Sequence, residues 1–247
     1  MSWLELYRYS TSENSLPYDT TGIVKLLDDV ELKRFERYKF DHSRWTFALA
    51  RWLTKTCLSS HLDQPPETIS FSYNENGKPY VDLGDGRAPI YFSISHTESM
   101  IVVCLSNYAI GVDIELLNRR GEPWKNPAAF LNEDIARVIN SMPNDAEKQR
   151  AFAQYWTAME ACVKLHGSTL FSIKETFAKD LDPIRSYEQL FYDNNHYYFS
   201  GINDDHILCV CTKKSPSKIV VKEFKNSKFN NDDDLMSSLF SEPSVGK

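Results

Sequence analysis

The chain has 247 residues, 42% of them hydrophobic and 25% charged, a composition that supports a buried core and one large or two half-sized domains. A net charge of −6 argues against a general nucleic-acid binder, which needs a basic surplus. Five cysteines, an odd number, do not read as a disulfide framework and point to a reducing cytoplasm, while the absence of a basic-then-apolar leader and of any run of about 18 apolar residues argues against secretion and membrane spanning.

In chain order, residues 1–10 alternate as an opening strand, through Trp3, Leu4, Leu6, Tyr7 and Tyr9. A charged stretch runs from Asp28 to Arg44. From Ser43 to Ser60 the spacing predicts a helix, with Trp45, Ala48, Leu49 and Trp52 on one stripe. Arg44, Arg51 and Lys55 form a second stripe at i, i+7 and i+11, which reads as a solvated charged face. Short strands follow at Ile69 to Tyr73, Ile90 to Ser93 and Met100 to Ser106, parted by turns at Asn76-Gly77-Lys78-Pro79 and Gly84-Asp85-Gly86. A strand at 109–116 comes next, then helices at about 132–140 and 147–166. The last third reads as strands near Phe171, at 189–192, 196–200 and 207–212. After Lys213 the chain turns polar, and 230–247 reads as a loosely held tail. The outline of strand, long helix and antiparallel strands occurs twice, without a residue-level repeat.

Three segments carry candidate chemistry. In Gly111-Val112-Asp113-Ile114-Glu115 the alternation of a strand puts Asp113 and Glu115 on one face, about 7 Å apart. Two neighbouring carboxylates repel unless a cation sits between them, and Mg²⁺ suits one or two carboxylates together with water and phosphate oxygens. A polar outer face on a half-exposed strand is the other reading. In Trp156 to Lys164, Glu160 and Lys164 are i and i+4 on one helical face beside the apolar stripe of Phe152, Trp156, Met159 and Val163. They read either as an ion pair worth roughly 0.3–0.5 kcal/mol or as groups at a cleft, Glu160 as ligand or base and Lys164 on a phosphate. Phe92 to Thr97 is a strand ending in a Ser95-His96-Thr97 polar corner, with no Gly-x-Ser-x-Gly elbow to suggest a serine nucleophile. Cys209 and Cys211 share one face of an apolar strand and read as buried thiols; Asp232-Asp233-Asp234 reads as solvated tail.

In order and spacing, Phe92 to His96, Gly111 to Glu115 and Trp156 to Lys164 resemble the Sfp-type 4′-phosphopantetheinyl transferase superfamily, and Gly77-Lys78-Pro79 is similar to that family's Gly-Lys-Pro turn. The resemblance implies an α+β fold of two similar halves forming a pseudo-dimer, here expected at 1–108 and 109–225, with 226–247 as a flexible tail. It implies transfer of the phosphopantetheine arm of coenzyme A to a serine of an apo acyl or peptidyl carrier protein, the holo-acyl-carrier-protein synthase type of reaction, by a cytoplasmic monomer. Asp113, Glu115 and Glu160 would hold Mg²⁺, Glu160 and Lys164 would serve the chemistry, and Arg44, Lys78, Ser95, His96 and Lys164 would bind coenzyme A. Two positions depart from the pattern: Met159 stands where the family has lysine before the helix glutamate, and Gly167-Ser168-Thr169-Leu170 replaces Gly-Lys-Gly-Leu. Both remove a positive charge, and they leave open a non-catalytic relative that binds coenzyme A or a carrier. A metal-dependent phosphohydrolase acting on nucleotides is the other alternative.

Overall fold

A computed structural model describes residues 2–11, 20–84, 87–177, 189–192, 194–202 and 205–224. Strand β1 (Trp3–Ser10) opens the chain and is followed by helices α1 (Thr20–Lys25), α2 (Asp29–Arg37) and α3 (Asp41–Leu62). After a short hairpin of β2 (Ser72–Tyr73) and β3 (Pro79–Tyr80) come β4 (Tyr91–His96), β5 (Met100–Ser106) and β6 (Ile110–Leu116). Helices α4 (Glu133–Asn140), α5 (Asp145–His166) and α6 (Leu170–Lys174) precede β7 (Gln189–Tyr192), β8 (Asn195–Ile202), β9 (His206–Thr212) and β10 (Lys218–Phe224).

The architecture is α+β in two similar halves. One sheet runs β10-β1-β5-β4 and the other β6-β9-β8-β7. In each, a strand is followed by a 22-residue helix and then by an antiparallel pair whose second member lies beside that first strand. Strand periodicity divides the core into three layers. Tyr7, Tyr9, Ile101, Val103 and Leu105 face α3 with Leu49, Trp52 and Leu53. On the opposite face Leu4, Leu6, Val102 and Cys104 meet Ile110, Val112, Ile114, Leu208 and Val210, so the halves are fused through a shared apolar layer. The far face of the second sheet packs through Cys209 and Cys211 on Tyr155, Met159, Ala161 and Cys162 of α5. Cys209 and Cys211 are thus buried thiols, as expected.

The sheets also meet edge to edge at β4 and β6, where serines substitute for a backbone ladder. The amide of Val112 donates to Ser93 Oγ at 2.9 Å and that of Ile114 to Ser95 Oγ at 3.3 Å. At Gly111 the strand touches α5 so closely that a Cβ would lie 1.9 Å from the Ala161 carbonyl oxygen.

Three expectations need correction. Arg51 and Lys55 are not a solvated face: they are 6% and 1% exposed and both pair with Glu31, itself 1% exposed, at 3.0 and 2.7 Å. Glu31 is delivered by α2, whose start is fixed by a capping box between Asp28 and Glu31. The segment near Phe171 is a helix rather than a strand, because the Thr169 hydroxyl caps the Ser172 amide. Residues 218–224, expected within the second half, form the edge strand of the first sheet, with Ile219, Val220 and Val221 paired in parallel to Leu4, Glu5 and Leu6. The expected tail at 226–247 lies outside the described residues, as does Asp232-Asp233-Asp234.

Candidate active site

Strand β6, strand β4 and helix α5 deliver most of the expected site residues to one place. The Lys164 ammonium is 2.7 Å from Asp113 Oδ1 and donates to Ser95 Oγ at 2.9 Å, while the Ser95 hydroxyl donates to the same Asp113 oxygen at 2.7 Å. The Ser95 oxygen also accepts from Ile114, so its one donor and two acceptor positions are all used. Glu115 leaves the strand on the Asp113 side, where Oε1 accepts from Trp156 Nε1 at 2.8 Å and pairs with Arg119 at 3.2 Å. The Arg119 guanidinium in turn covers the Trp156 ring at 5.3 Å.

The acidic residues are under electrostatic load. Burial and the negative charge of Asp113 raise the Glu115 carboxyl above its ordinary range, against the opposing pull of Arg119, Trp156 and Lys164. Glu160 is raised for the same reasons, burial first and Asp113 second, with Lys164 opposing. Asp113 Oδ2 is buried and has no hydrogen-bond partner among the described residues. A cation would relieve all three groups, so the donor set suits a hard divalent ion. The expected three-carboxylate cluster is not closed: among the described residues no three His, Cys, Asp or Glu side chains are grouped to hold a metal. The Lys164 ammonium stands at Asp113 instead.

Next to this acidic edge a cavity of about 390 Å³ opens between the halves. The first half supplies Arg34, Arg51, Lys78 and His96 to its wall, and the second supplies Val163, Lys164, Gly167 and Ser168. Burial and the neighbouring Lys164 charge push the His96 imidazole below its ordinary range. Lys78 is pushed down to about 8 by burial, and its ammonium is spent on the carbonyls of Leu165, at 3.1 Å, and Ile110, at 3.3 Å. A larger cavity, about 580 Å³, lies in the first half against Trp52, Pro65 and Pro66 and contains none of these groups.

The structure therefore gathers Ser95, Asp113 and Lys164 in one hydrogen-bonded cluster, with Glu115 and Glu160 in electrostatic reach of Asp113, and Lys164 joins Lys78 and His96 in lining the adjacent cleft. Arg44 is not in its wall: its guanidinium is held by Asp41 at 3.0 Å and by the Tyr38 carbonyl at 2.9 Å. Arg51, two turns further along the same helix, lines the cleft and stacks on Phe47 and Phe71, and Arg34 joins it over Phe47. Sequence reading passed over both. The signal for Arg51 was its place on the Arg44 stripe, but its burial depends on Glu31, which only the packing of α2 on α3 reveals.

Comparison with known proteins matches residues 109–211 to the family model described as the 4′-phosphopantetheinyl transferase superfamily, and residues 15–107 to the N-terminal region of 4′-phosphopantetheinyl transferases. Fold, cleft and both matches define one class, and the chain belongs to the 4′-phosphopantetheinyl transferase superfamily. Among its relatives is the 4′-phosphopantetheinyl transferase HetI of Nostoc sp., 28% identical over 151 residues, which are 60% of this chain and 63% of that protein. The 4′-phosphopantetheinyl transferase gsp of Aneurinibacillus migulanus is 29% identical over 137 residues, 56% of this chain and 54% of that protein. The chain thus spans somewhat more than half the length of both relatives. No described helix is long and apolar enough to cross a membrane.

Proposed function

We propose that the protein transfers the 4′-phosphopantetheine arm of coenzyme A to a serine hydroxyl of an apo acyl or peptidyl carrier protein. The observation that supports this reading best is the cleft itself, with cationic Arg34, Arg51 and Lys164 along its wall and Lys164 tying it to Asp113, the charged neighbour that Glu115 and Glu160 share. The naming of the relatives as 4′-phosphopantetheinyl transferases supports the same reaction.

In the reaction the serine oxygen forms a bond to the β-phosphorus of coenzyme A, the pyrophosphate P–O bond breaks, and adenosine 3′,5′-bisphosphate leaves. Such a step needs charge neutralisation and alignment more than a protein nucleophile. Asp113 and Glu115, with Glu160 beside them, are the residues that would hold Mg²⁺, which supplies charge stabilisation to phosphate oxygens when bound. Lys164, already at the Asp113 carboxylate, pairs with the pyrophosphate. Arg51 and Arg34, with His96, grip the anionic nucleotide end, a role expected of Arg44 but supported by geometry for Arg51. Glu160, a carboxylate beside the proposed metal position, would receive the serine proton. Cytoplasmic location, a monomeric state and the holo-acyl-carrier-protein synthase type of substrate belong to the same proposal.

The test is incubation with coenzyme A, Mg²⁺ and a panel of apo carrier domains, read by intact mass. A Mg²⁺-dependent gain of one phosphopantetheine on a carrier serine supports the proposal. Unchanged carriers with tight coenzyme A binding support the non-catalytic relative instead.

A further inference from the structure

The turn from Asn74 to Lys78 belongs to the first half, yet its polar groups are spent on the second. A helix ends with carbonyls that have no partner inside it. In α5 the Lys164 and Val163 carbonyls are taken by the Gly167 and Ser168 amides of the helix's own cap. The Gly167 carbonyl accepts the side-chain amides of both Asn74, at 3.0 Å, and Asn76, at 2.8 Å. The Leu165 carbonyl accepts the Lys78 ammonium, which also reaches the carbonyl of Ile110 at the first residue of β6. A positive charge at this helix terminus is favourable, because the backbone dipoles leave it negative.

The turn is built to hold that pose. Asn74 Oδ1 accepts the amides of Asn76, at 3.1 Å, and Lys78, at 2.7 Å, which directs its Nδ2 outward to Gly167. The Gly77 amide closes the turn on the Asn74 carbonyl, with Gly77 at a φ of +81° that side chains resist. Gly167, at φ +59°, must also lack a side chain: a Cβ there would lie 2.5 Å from Asn74 Nδ2.

We infer that the Asn74–Lys78 turn is a clamp that fixes the last turn of α5 against β6, and that Lys78 is a positioning residue for Lys164 rather than a ligand for the substrate's phosphates. Lys164 lies one residue before the clamped Leu165, and Glu160 one turn earlier on the same helix. A loosened helix end therefore moves both relative to Asp113. The ammonium of Lys78, bonded to two carbonyls at once, is the tie between the end of α5 and the start of β6.

The experiment uses the full chain and two variants: Lys78→Met, which keeps the aliphatic stem, and the milder Asn76→Ala at an exposed position. Hydrogen exchange of the 161–168 amides is measured without any ligand, with the amides of α3 as internal control. Both variants are expected to exchange faster at 161–168 only, by about tenfold for Lys78→Met, the scale of one charge-assisted hydrogen bond. This arm does not depend on the transferase reading. The kinetic arm, which rests on that reading, compares coenzyme A with 3′-dephospho-coenzyme A. Lys78→Met is expected to lower kcat about tenfold, as misplacement of catalytic groups does, and to leave the ratio of the two KM values as in the parent. Lys78→Arg, which restores the charge, should recover part of both effects. Parent-like exchange at 161–168 in Lys78→Met overturns the clamp, and so does a selective rise in KM for coenzyme A that collapses the ratio. A parent without transfer activity defeats the functional proposal but leaves the exchange result to decide this one.

Discussion

Replacing Gly111 by alanine should damage the site without touching any of its functional groups. The added Cβ would sit 1.9 Å from the Ala161 carbonyl oxygen and 2.5 Å from the Leu165 amide nitrogen, where real contacts of this kind do not fall below 3.0 Å. Both opposing atoms are helix backbone, so no side chain can swing aside, and α5 and β6 must separate by about 1 Å. Overpacking of this kind costs about 1–3 kcal/mol, occasionally more. The functional cost is larger, because the separation falls between Asp113 and Glu115 on one element and Glu160 and Lys164 on the other. A misplacement of about 1 Å lowers rates by roughly 10²-fold. The assay pairs a melting curve with the transfer rate at saturating coenzyme A. A folded Gly111→Ala protein that melts and turns over like the parent would refute the reasoning.

Met159 is 1% exposed and packs with Phe152, Trp156 and the cysteines of β9, so Met159→Lys should lower stability by several kcal/mol, the effective cost of an unpaired buried charge; a parent-like denaturation midpoint would show that the stem escapes to the cleft. Glu31→Gln leaves Arg51 and Lys55 buried without their anion and should cost about 3–5 kcal/mol by urea unfolding, with little change expected only if water reaches the pair. Glu5, hydrogen-bonded by His61, buried in part, and also contacted by Tyr7 and Lys222, has its carboxyl lowered to about 2. A depressed carboxyl stabilises the fold above its unfolded value of 4.5 and loses that contribution as pH falls toward 2. Glu5→Gln should therefore flatten the acid limb of a stability-versus-pH curve below about pH 4.5, and an unchanged limb would contradict the assignment.

Much of this was legible in the residues, for local reasons. The alternation of Ile110, Val112 and Ile114 against Asp113 and Glu115 is a property of any strand, and the structure keeps it, apolar side to the first sheet and acidic side to α5. Met159 lay on the apolar stripe of its helix and is packed there. What sequence reading missed depends on non-local pairing. Arg51 and Lys55 look solvated until Glu31 arrives from another helix, although the Asp28-x-x-Glu31 capping signature was there to announce that helix. Strand β10 reads as a polar stretch because its burial pattern alternates weakly at a sheet edge. Ser95 reads as part of a polar corner with His96 and Thr97, whereas Ser93 and Ser95 serve as hydrogen-bond acceptors for β6. Arg44 and Arg51 could not be told apart by helical spacing, since both lie on one stripe and only the hairpin and α2 decide which faces the cleft.

One measurement bears most directly on the proposed transfer: the stoichiometry of a single reaction containing the protein, Mg²⁺, coenzyme A and an apo carrier, alongside the same mixture without carrier. Coenzyme A consumed, carrier modified and adenosine 3′,5′-bisphosphate released should agree one to one, and coenzyme A should stay intact when carrier is left out. Breakdown of coenzyme A at the same rate without carrier would contradict the transfer reaction and favour a phosphohydrolase.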